Sequence, residues 1–245
     1  MIVAPPEETI LMEQGLTYRD VDRVLRASGV DAWGVASNEP PMPVAPLLPT
    51  AVSLLARLDP VELDGVEHGP TQAYYAGYCR VNAVLDAAAS ALVEALREDG
   101  RQAESVLSTI PEDEYGSIDD WCNVPVFAHK TAATRAGLGW IGKTALFVSP
   151  ELGPRVRLAA VFTDLALQAG TPVEIGRCGS CRLCVDACPA GAGVDVPWRA
   201  GLPREQLYDV KACEQETYKY EELGGVCGVC IAVCPWGRKG SSSSR

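Results

Sequence analysis

From Arg80 to Asp99 the apolar residues Val81, Val84, Leu85, Ala88, Leu92, Ala95 and Leu96 recur at helical spacing, and Gly100 closes the run. The pattern predicts a long amphipathic helix. A shorter helix is predicted upstream, where Val21, Val24, Leu25 and Ser28 share one face. Thr17 is placed to cap it, Asp20 completes a capping box, and Gly29 is a natural stop. Residues 30–37 (VDAWGVAS) and 50–58 (TAVSLLARL) read as strands on either side of the Pro-rich loop 38–49. Residues 144–149 and 157–165 read as two more strands, separated by Pro150 and the Gly153-Pro154 turn. Residues 129–136 (HKTAATRA) form a short predicted helix. This mixture predicts one layered α/β or α+β domain over 1–170. A second unit follows over 171–240, and the serine-rich 241–245 is expected to be a disordered tail.

Composition narrows the function classes. The 245-residue chain is 47% hydrophobic and 22% charged, with 32 acidic against 21 basic residues and a net charge of −11. A protein that grips phosphate backbones carries the opposite sign, so nucleic acid is not the expected partner. No apolar run approaches the ~20 residues that span a bilayer, and no membrane partner is expected. The acidic start MIVAPPEETILMEQG lacks the basic and apolar regions of a signal peptide, so a cytoplasmic location is expected. In a reducing compartment the ten cysteines need a role other than disulfides.

Eight of them supply one. Cys178, Cys181, Cys184 and Cys188, followed by Pro189, form C-x2-C-x2-C-x3-C-P, and Cys213 precedes a second run of Cys227, Cys230 and Cys234 before Pro235. In two-cluster ferredoxins the three closely spaced thiolates hold one [4Fe–4S] cluster, and the fourth, before proline, ligates the other. That crossing assigns Cys178, Cys181, Cys184 and Cys234 to a first cluster, and Cys188, Cys213, Cys227 and Cys230 to a second. Cys213 stands 14 positions before Cys227, unlike the short spacing of a simple ferredoxin. The alternative, a pair of zinc sites, ordinarily uses isolated C-x2-C pairs. Cys79 and Cys122 are left over and read as buried thiols.

A further motif points elsewhere. Gly137, Gly142, Lys143 and Thr144 spell the phosphate-loop pattern G-x-x-x-x-G-K-[ST]. A phosphate loop follows a buried strand and opens a helix. Here a polar helical stretch precedes the glycines, β-prone residues follow, and Pro150 interrupts them. Only about 34 residues then separate the loop from Cys178, too few for the remaining βα units of a nucleotide hydrolase. The glycines Gly137, Gly139 and Gly142 around Trp140 instead suggest either a tight structural turn or close approach of a flat ligand.

Taken together, RAGLGWIGK (135–143), ELGPRVRLAAVFTDL (151–165), CGSCRLCVDACPAGA (178–192) and CGVCIAVCPWGR (227–238) resemble the epoxyqueuosine reductase family and its cobalamin-dependent relatives, which include the reductive dehalogenases. The resemblance is strongest from about Pro125 to Arg238. It implies an α+β fold, in which a ferredoxin-like module with two [4Fe–4S] clusters packs on a nitroreductase-like α/β-sandwich cofactor domain. It also implies that the clusters pass single electrons to a corrinoid, with flavin the lesser choice. Gly137, Gly139, Trp140, Gly142 and Lys143 would line the cofactor, and an external donor such as ferredoxin or flavodoxin would supply electrons.

Three departures qualify the likeness. The family's proton-donating acid aligns with Asn123, so Asp119, Asp120, His129 or Lys130 would have to serve instead. The helical-repeat extension of the tRNA-modifying enzymes is missing, and the charge of −11 suits a tRNA substrate poorly. The expected function is an iron–sulfur reductase acting on a small molecule. The alternatives are a ferredoxin-type electron carrier that docks a partner enzyme and an iron–sulfur sensor.

Overall fold

The computed structural model describes residues 15–109 and 128–237. Helix α1 (Tyr18–Ala27) begins where expected: the Thr17 N–H donates to Asp20 Oδ2 at 3.0 Å, and Val21 and Leu25 are fully buried. Strands β1 (Ala32–Ser37) and β2 (Thr50–Arg57) follow. Helix α2 runs over Gln72–Glu98, eight residues earlier than the apolar periodicity predicts, because the Thr71 hydroxyl accepts the Tyr74 N–H and caps it there.

After α2 come a short strand β3 (Ala103–Val106), which the sequence pattern does not reveal, and helix α3 (Ala128–Arg135). The predicted strand over 144–149 contracts to β5 (Phe147–Val148), paired with β4 (Trp140–Ile141). The cause is a tight turn: Gly142 N–H donates to the Leu146 carbonyl at 2.7 Å, and Ala145 takes a left-handed φ of 56°. Strand β6 (Val156–Thr163) completes a four-stranded antiparallel sheet in the order β1-β2-β6-β3.

Alternation along β2 and β6 makes the sheet two-faced. Val52, Leu54, Ala159 and Val161 face α1 and α2, packing on Leu25, Leu85 and Leu92. Ala51, Ala160 and Phe162 point the other way, onto Ala132 of α3 and Ala136 just after it. The architecture is therefore α+β, with the sheet between helical layers. The cysteine-bearing segment carries short helices α4 (Leu183–Asp186), α5 (Val210–Thr217) and α6 (Val229–Ala232). Ile231 and Ala232 of α6 belong to the same core as α2, so this segment is built into the sheet domain's packing. Among the described residues no helix is long and apolar enough to cross a membrane.

Candidate iron–sulfur and redox site

Cys178, Cys181, Cys184 and Cys234 line one hollow together with Pro235 and Trp236. The C-x2-C-x2-C turn supplies three thiols, and the C-terminal Cys234 comes back across them. Cys188, Cys213, Cys227 and Cys230 gather separately, with Cys213 and Cys230 both beside Cys188 and Cys227. Among the described residues no three Cys, His, Asp or Glu side chains converge as tightly as one metal ion demands; the four thiols stand round a hollow instead.

Burial raises the thiols of Cys184, Cys213, Cys227 and Cys230 and brings Cys234 to about 11. Iron, if held here, would supply the positive charge that displaces thiol protons. Ala192 N–H reaches Cys188 Sγ at 3.4 Å. The neighbouring Tyr208 and Thr144 hydroxyls and the Val229 and Trp236 amides counter part of the rise at Cys213, Cys184, Cys227 and Cys234. All-thiolate donor sets with N–H and O–H groups around them suit iron–sulfur clusters.

The glycine stretch has a different neighbourhood from the open wall of a ligand pocket. A Cβ on Gly139 would collide with the Val148 carbonyl, and one on Gly137 (φ +81°) would lie 2.6 Å from the Thr171 carbonyl. The close approach that these glycines permit is made by the protein's own backbone. Trp140 is fully buried, edge-on to Trp236 at 4.8 Å and with the Arg177 guanidinium 5.6 Å from its ring. Lys143, read from the sequence as a pocket cation or surface charge, is only 4% exposed and pairs with Asp195 at 2.7 Å.

A second polar cluster escaped the sequence reading. The Arg157 guanidinium lies 4.2 Å from the Tyr78 ring centre and donates to Asn82 Oδ1 at 2.8 Å, Tyr78 Oη at 3.1 Å and the Ser108 carbonyl at 3.1 Å. Asn82 in turn donates to Thr109 Oγ1 at 2.8 Å. The signal was a lone arginine inside the apolar run RLAAVFT, facing Tyr78 and Asn82 one helical turn apart on α2. Tyr74, a turn before Tyr78, is buried against the Cys227–Cys230 turn: a Cβ on Gly228 would be 2.7 Å from its ring.

Candidates for proton donation separate here. His129 Nε2 donates to the Leu107 carbonyl at 2.8 Å, and its Nδ1 is buried without a partner. Burial, with Arg157 and Lys130 adding to it, lowers the imidazole to about 4, so it is neutral near pH 7 and ill-suited as an acid there. Lys130 donates to the Ala145 carbonyl at 2.7 Å, and burial beside Arg157 and Arg204 lowers it to about 8. Asp119, Asp120, Cys122 and Asn123 lie outside the described residues. Cys79 is exposed on α2, correcting its reading as a buried thiol.

The His129 environment has a consequence for stability. The unfolded imidazole binds a proton near pH 6.5 and the folded one only near 4, so stability is greatest above pH 6.5 and falls as the pH drops toward 4. Replacing His129 with Gln should flatten that fall by on the order of 1–3 kcal/mol, read from urea midpoints between pH 7.5 and 4.5. A variant with the wild-type slope would show that His129 does not cause it.

Comparison with known proteins agrees with this site. Residues 177–237 match the 4Fe-4S double cluster binding domain family. The tetrachloroethene reductive dehalogenase of Sulfurospirillum multivorans is 35% identical over 112 residues, 42% of this chain and 22% of that protein. The epoxyqueuosine reductase of Listeria monocytogenes is 36% identical over 110 residues, 43% of this chain and 28% of that protein. The chain thus spans about a quarter of the length of these relatives. Among solved structures, a catabolic reductive dehalogenase superposes with a TM-score of 0.70 at 22% identity, over 90% of this chain and 32% of the other. The epoxyqueuosine reductase of Streptococcus thermophilus gives 0.56 at 17% identity, over 90% and 66%. Residues 177–237 are thus similar to the double [4Fe–4S] cluster domains. The chain is similar in sequence to epoxyqueuosine reductases and reductive dehalogenases over less than half of its length.

Proposed function

We propose that the protein is a reductase in which two [4Fe–4S] clusters pass electrons, one at a time, to a reaction centre in the sheet domain. Its substrate would be a small molecule, and its electrons would come from an external donor such as ferredoxin or flavodoxin. On this reading residues 1–170 are the nitroreductase-like cofactor domain and 171–240 the cluster module. One observation carries it: the Cys227–Cys230 turn packs on Tyr74, and Tyr74 leads within one helical turn to the Tyr78–Arg157 cluster. The thiolate pocket thereby abuts a polar, partly buried site without intervening solvent-facing chain.

The chain's own residues divide the work. The eight cysteines hold the clusters, which supply single electrons. Arg157, fixed by Asn82 and Tyr78, presents a positive charge that would bind and orient an anionic group. Lys130, lowered to about 8, is the better placed of the two candidate proton donors, since His129 is neutral and its Nε2 proton is engaged by Leu107.

The relatives point to a corrinoid as the electron acceptor; one solved relative is described by its B12-dependent dehalogenation. The glycine stretch does not fit the part expected of it, because Val148 and Thr171 already occupy the space beside Gly139 and Gly137. That same filling favours the second reading, an electron carrier without substrate chemistry. Anaerobic purification with hydroxocobalamin supplied separates the two. Stoichiometric corrinoid, with its visible spectrum bleaching to the reduced form as the clusters are oxidised, supports the reductase. Two intact clusters without corrinoid binding, and fast exchange with a donor protein, would favour the carrier.

A further inference from the structure

The segment around the first hollow differs from the rest of the chain in charge and in exposed apolar surface. Residues 174–204, which carry three of that hollow's four thiols, hold four arginines against three carboxylates, a balance of +1 in a chain of net charge −11. Arg182 is committed to Asp186 and Asp195. Arg177, next to Cys178, and Arg199 are exposed, and among the described residues neither pairs with a carboxylate. Backbone pairing brings their segments together: Ile175 bridges Arg199, and Gly176 N–H donates to the Trp198 carbonyl at 2.8 Å. Arg177 also adjoins the hollow's lining, since its guanidinium is 5.6 Å from the Trp140 ring, which meets Trp236 edge-on at 4.8 Å. Apolar side chains stand among these charges: Ile175 is 70% exposed, Leu183 52% and Val194 48%. Leu183 lies between the hollow's Cys181 and Cys184, and Val194 adjoins Asp195, which Arg182 holds.

We propose that this rim is the docking surface of an acidic one-electron carrier protein, and that electrons enter at the cluster held by Cys178, Cys181, Cys184 and Cys234 before passing to the second. Charge selects the partner. The unpaired Arg177 and Arg199 attract carboxylates, whereas a basic carrier would be drawn to the acidic remainder of the chain. The exposed aliphatics keep water out of the contact once the carrier has docked. The second foursome is the exit side, because its Cys227–Cys230 turn packs on Tyr74. One electron leaves the reduced carrier, which is oxidised, and reduces the first cluster; no bond forms or breaks and no proton moves. Encounters of this kind bury little surface, so the rate of association, and with it the salt concentration, governs transfer.

The inference rests on the iron–sulfur reading, and the experiment keeps the two apart. Full-length protein, purified anaerobically, is first reduced with dithionite; if EPR then shows no cluster signals, the iron–sulfur reading fails and the docking surface falls with it. With clusters present, the protein is mixed in stopped flow with a reduced [2Fe–2S] ferredoxin of acidic isoelectric point. The rate should fall roughly tenfold as salt rises from about 50 to about 500 mM. Arg177→Glu with Arg199→Glu should slow transfer roughly tenfold, and Arg199→Glu alone, which leaves Arg177 on Trp140, about threefold. Leu183→Asp should slow it without removing the salt dependence. Arg23→Glu, on α1, should keep the wild-type rate, and dithionite should reduce every variant to the wild-type extent. After rapid freezing, the first EPR signal to appear should be the one that Cys181→Ser removes. Wild-type rates in the double variant, equal slowing by Arg23→Glu, or earlier reduction of the second cluster would each overturn the assignment. So would self-association in sedimentation that Leu183→Asp abolishes, which would give the rim to a second copy of this chain.

Discussion

Cys188→Ser is expected to cost the protein about half of its iron while leaving the cluster of its own sequence run in place. The reason is spatial. Cys188 follows Cys184 by four positions, yet its thiol stands with Cys213, Cys227 and Cys230, and Ala192 N–H donates to its sulfur at 3.4 Å. The other three thiols of its run face the hollow that Cys234 completes. Serine offers a harder, more weakly ionising oxygen, so the second cluster should be lost. Iron and sulfide analysis with EPR of the anaerobic protein reads this directly, with Cys181→Ser as the comparator that should spare the second cluster. Identical damage from both variants, or two intact clusters in Cys188→Ser, would refute the crossed pairing.

Arg155→Met is expected to produce the next largest effect, on the order of 3–6 kcal/mol of stability. Arg155, just before β6, is 4% exposed and donates to the carbonyls of Ala232, Cys234 and Trp236. Methionine fills much of the volume but leaves those carbonyls without this donor, at about 1–3 kcal/mol for each one left unsatisfied. Because Cys234 is among them, the loss should appear as faster release of iron from the first hollow together with a lower unfolding midpoint. Arg155→Lys keeps the charge but cannot span three acceptors, and should fall between the two. Wild-type iron retention and unfolding in Arg155→Met would show that the clamp contributes nothing.

How far the sequence revealed this arrangement depended on how local each feature is. Helix α1 was readable from Thr17, Asp20 and Gly29 because its cap, face and stop all lie within thirteen residues. The start of α2 was not, since QAYYAGYC buries Tyr74 and Gly77 rather than an aliphatic stripe; Thr71 after Pro70 was the overlooked signal. Strand β3 has two exposed polar residues among its four and is held by pairing with β6, a contact made across more than fifty residues. The cysteine groupings were expected from spacing because cluster geometry restricts which thiols can meet. Arg157 and Tyr78 are brought together only by packing α2 on the sheet, across 79 residues of chain. The glycine stretch illustrates the same limit: its letters show that something approaches closely, and only the fold shows that the neighbour is Val148.

The return of Cys234 to the first foursome also bears on how the protein comes to be made. On a ribosome the chain appears in order, and domains fold as they emerge. The sheet, its helices and the first three thiols are all available while the last stretch is still inside the exit tunnel. The first foursome nevertheless stays open on one side until residue 234 has emerged and Arg155 has caught it. The second waits for Cys227 and Cys230, so neither hollow can close around its cargo before nearly all of the described chain exists. Cluster delivery is thereby a late event in biosynthesis. A nascent chain stalled before residue 227 would present the sheet and its helices, still lacking the α6 residues of their core, and two half-built thiol nests to whatever machinery carries iron and sulfide.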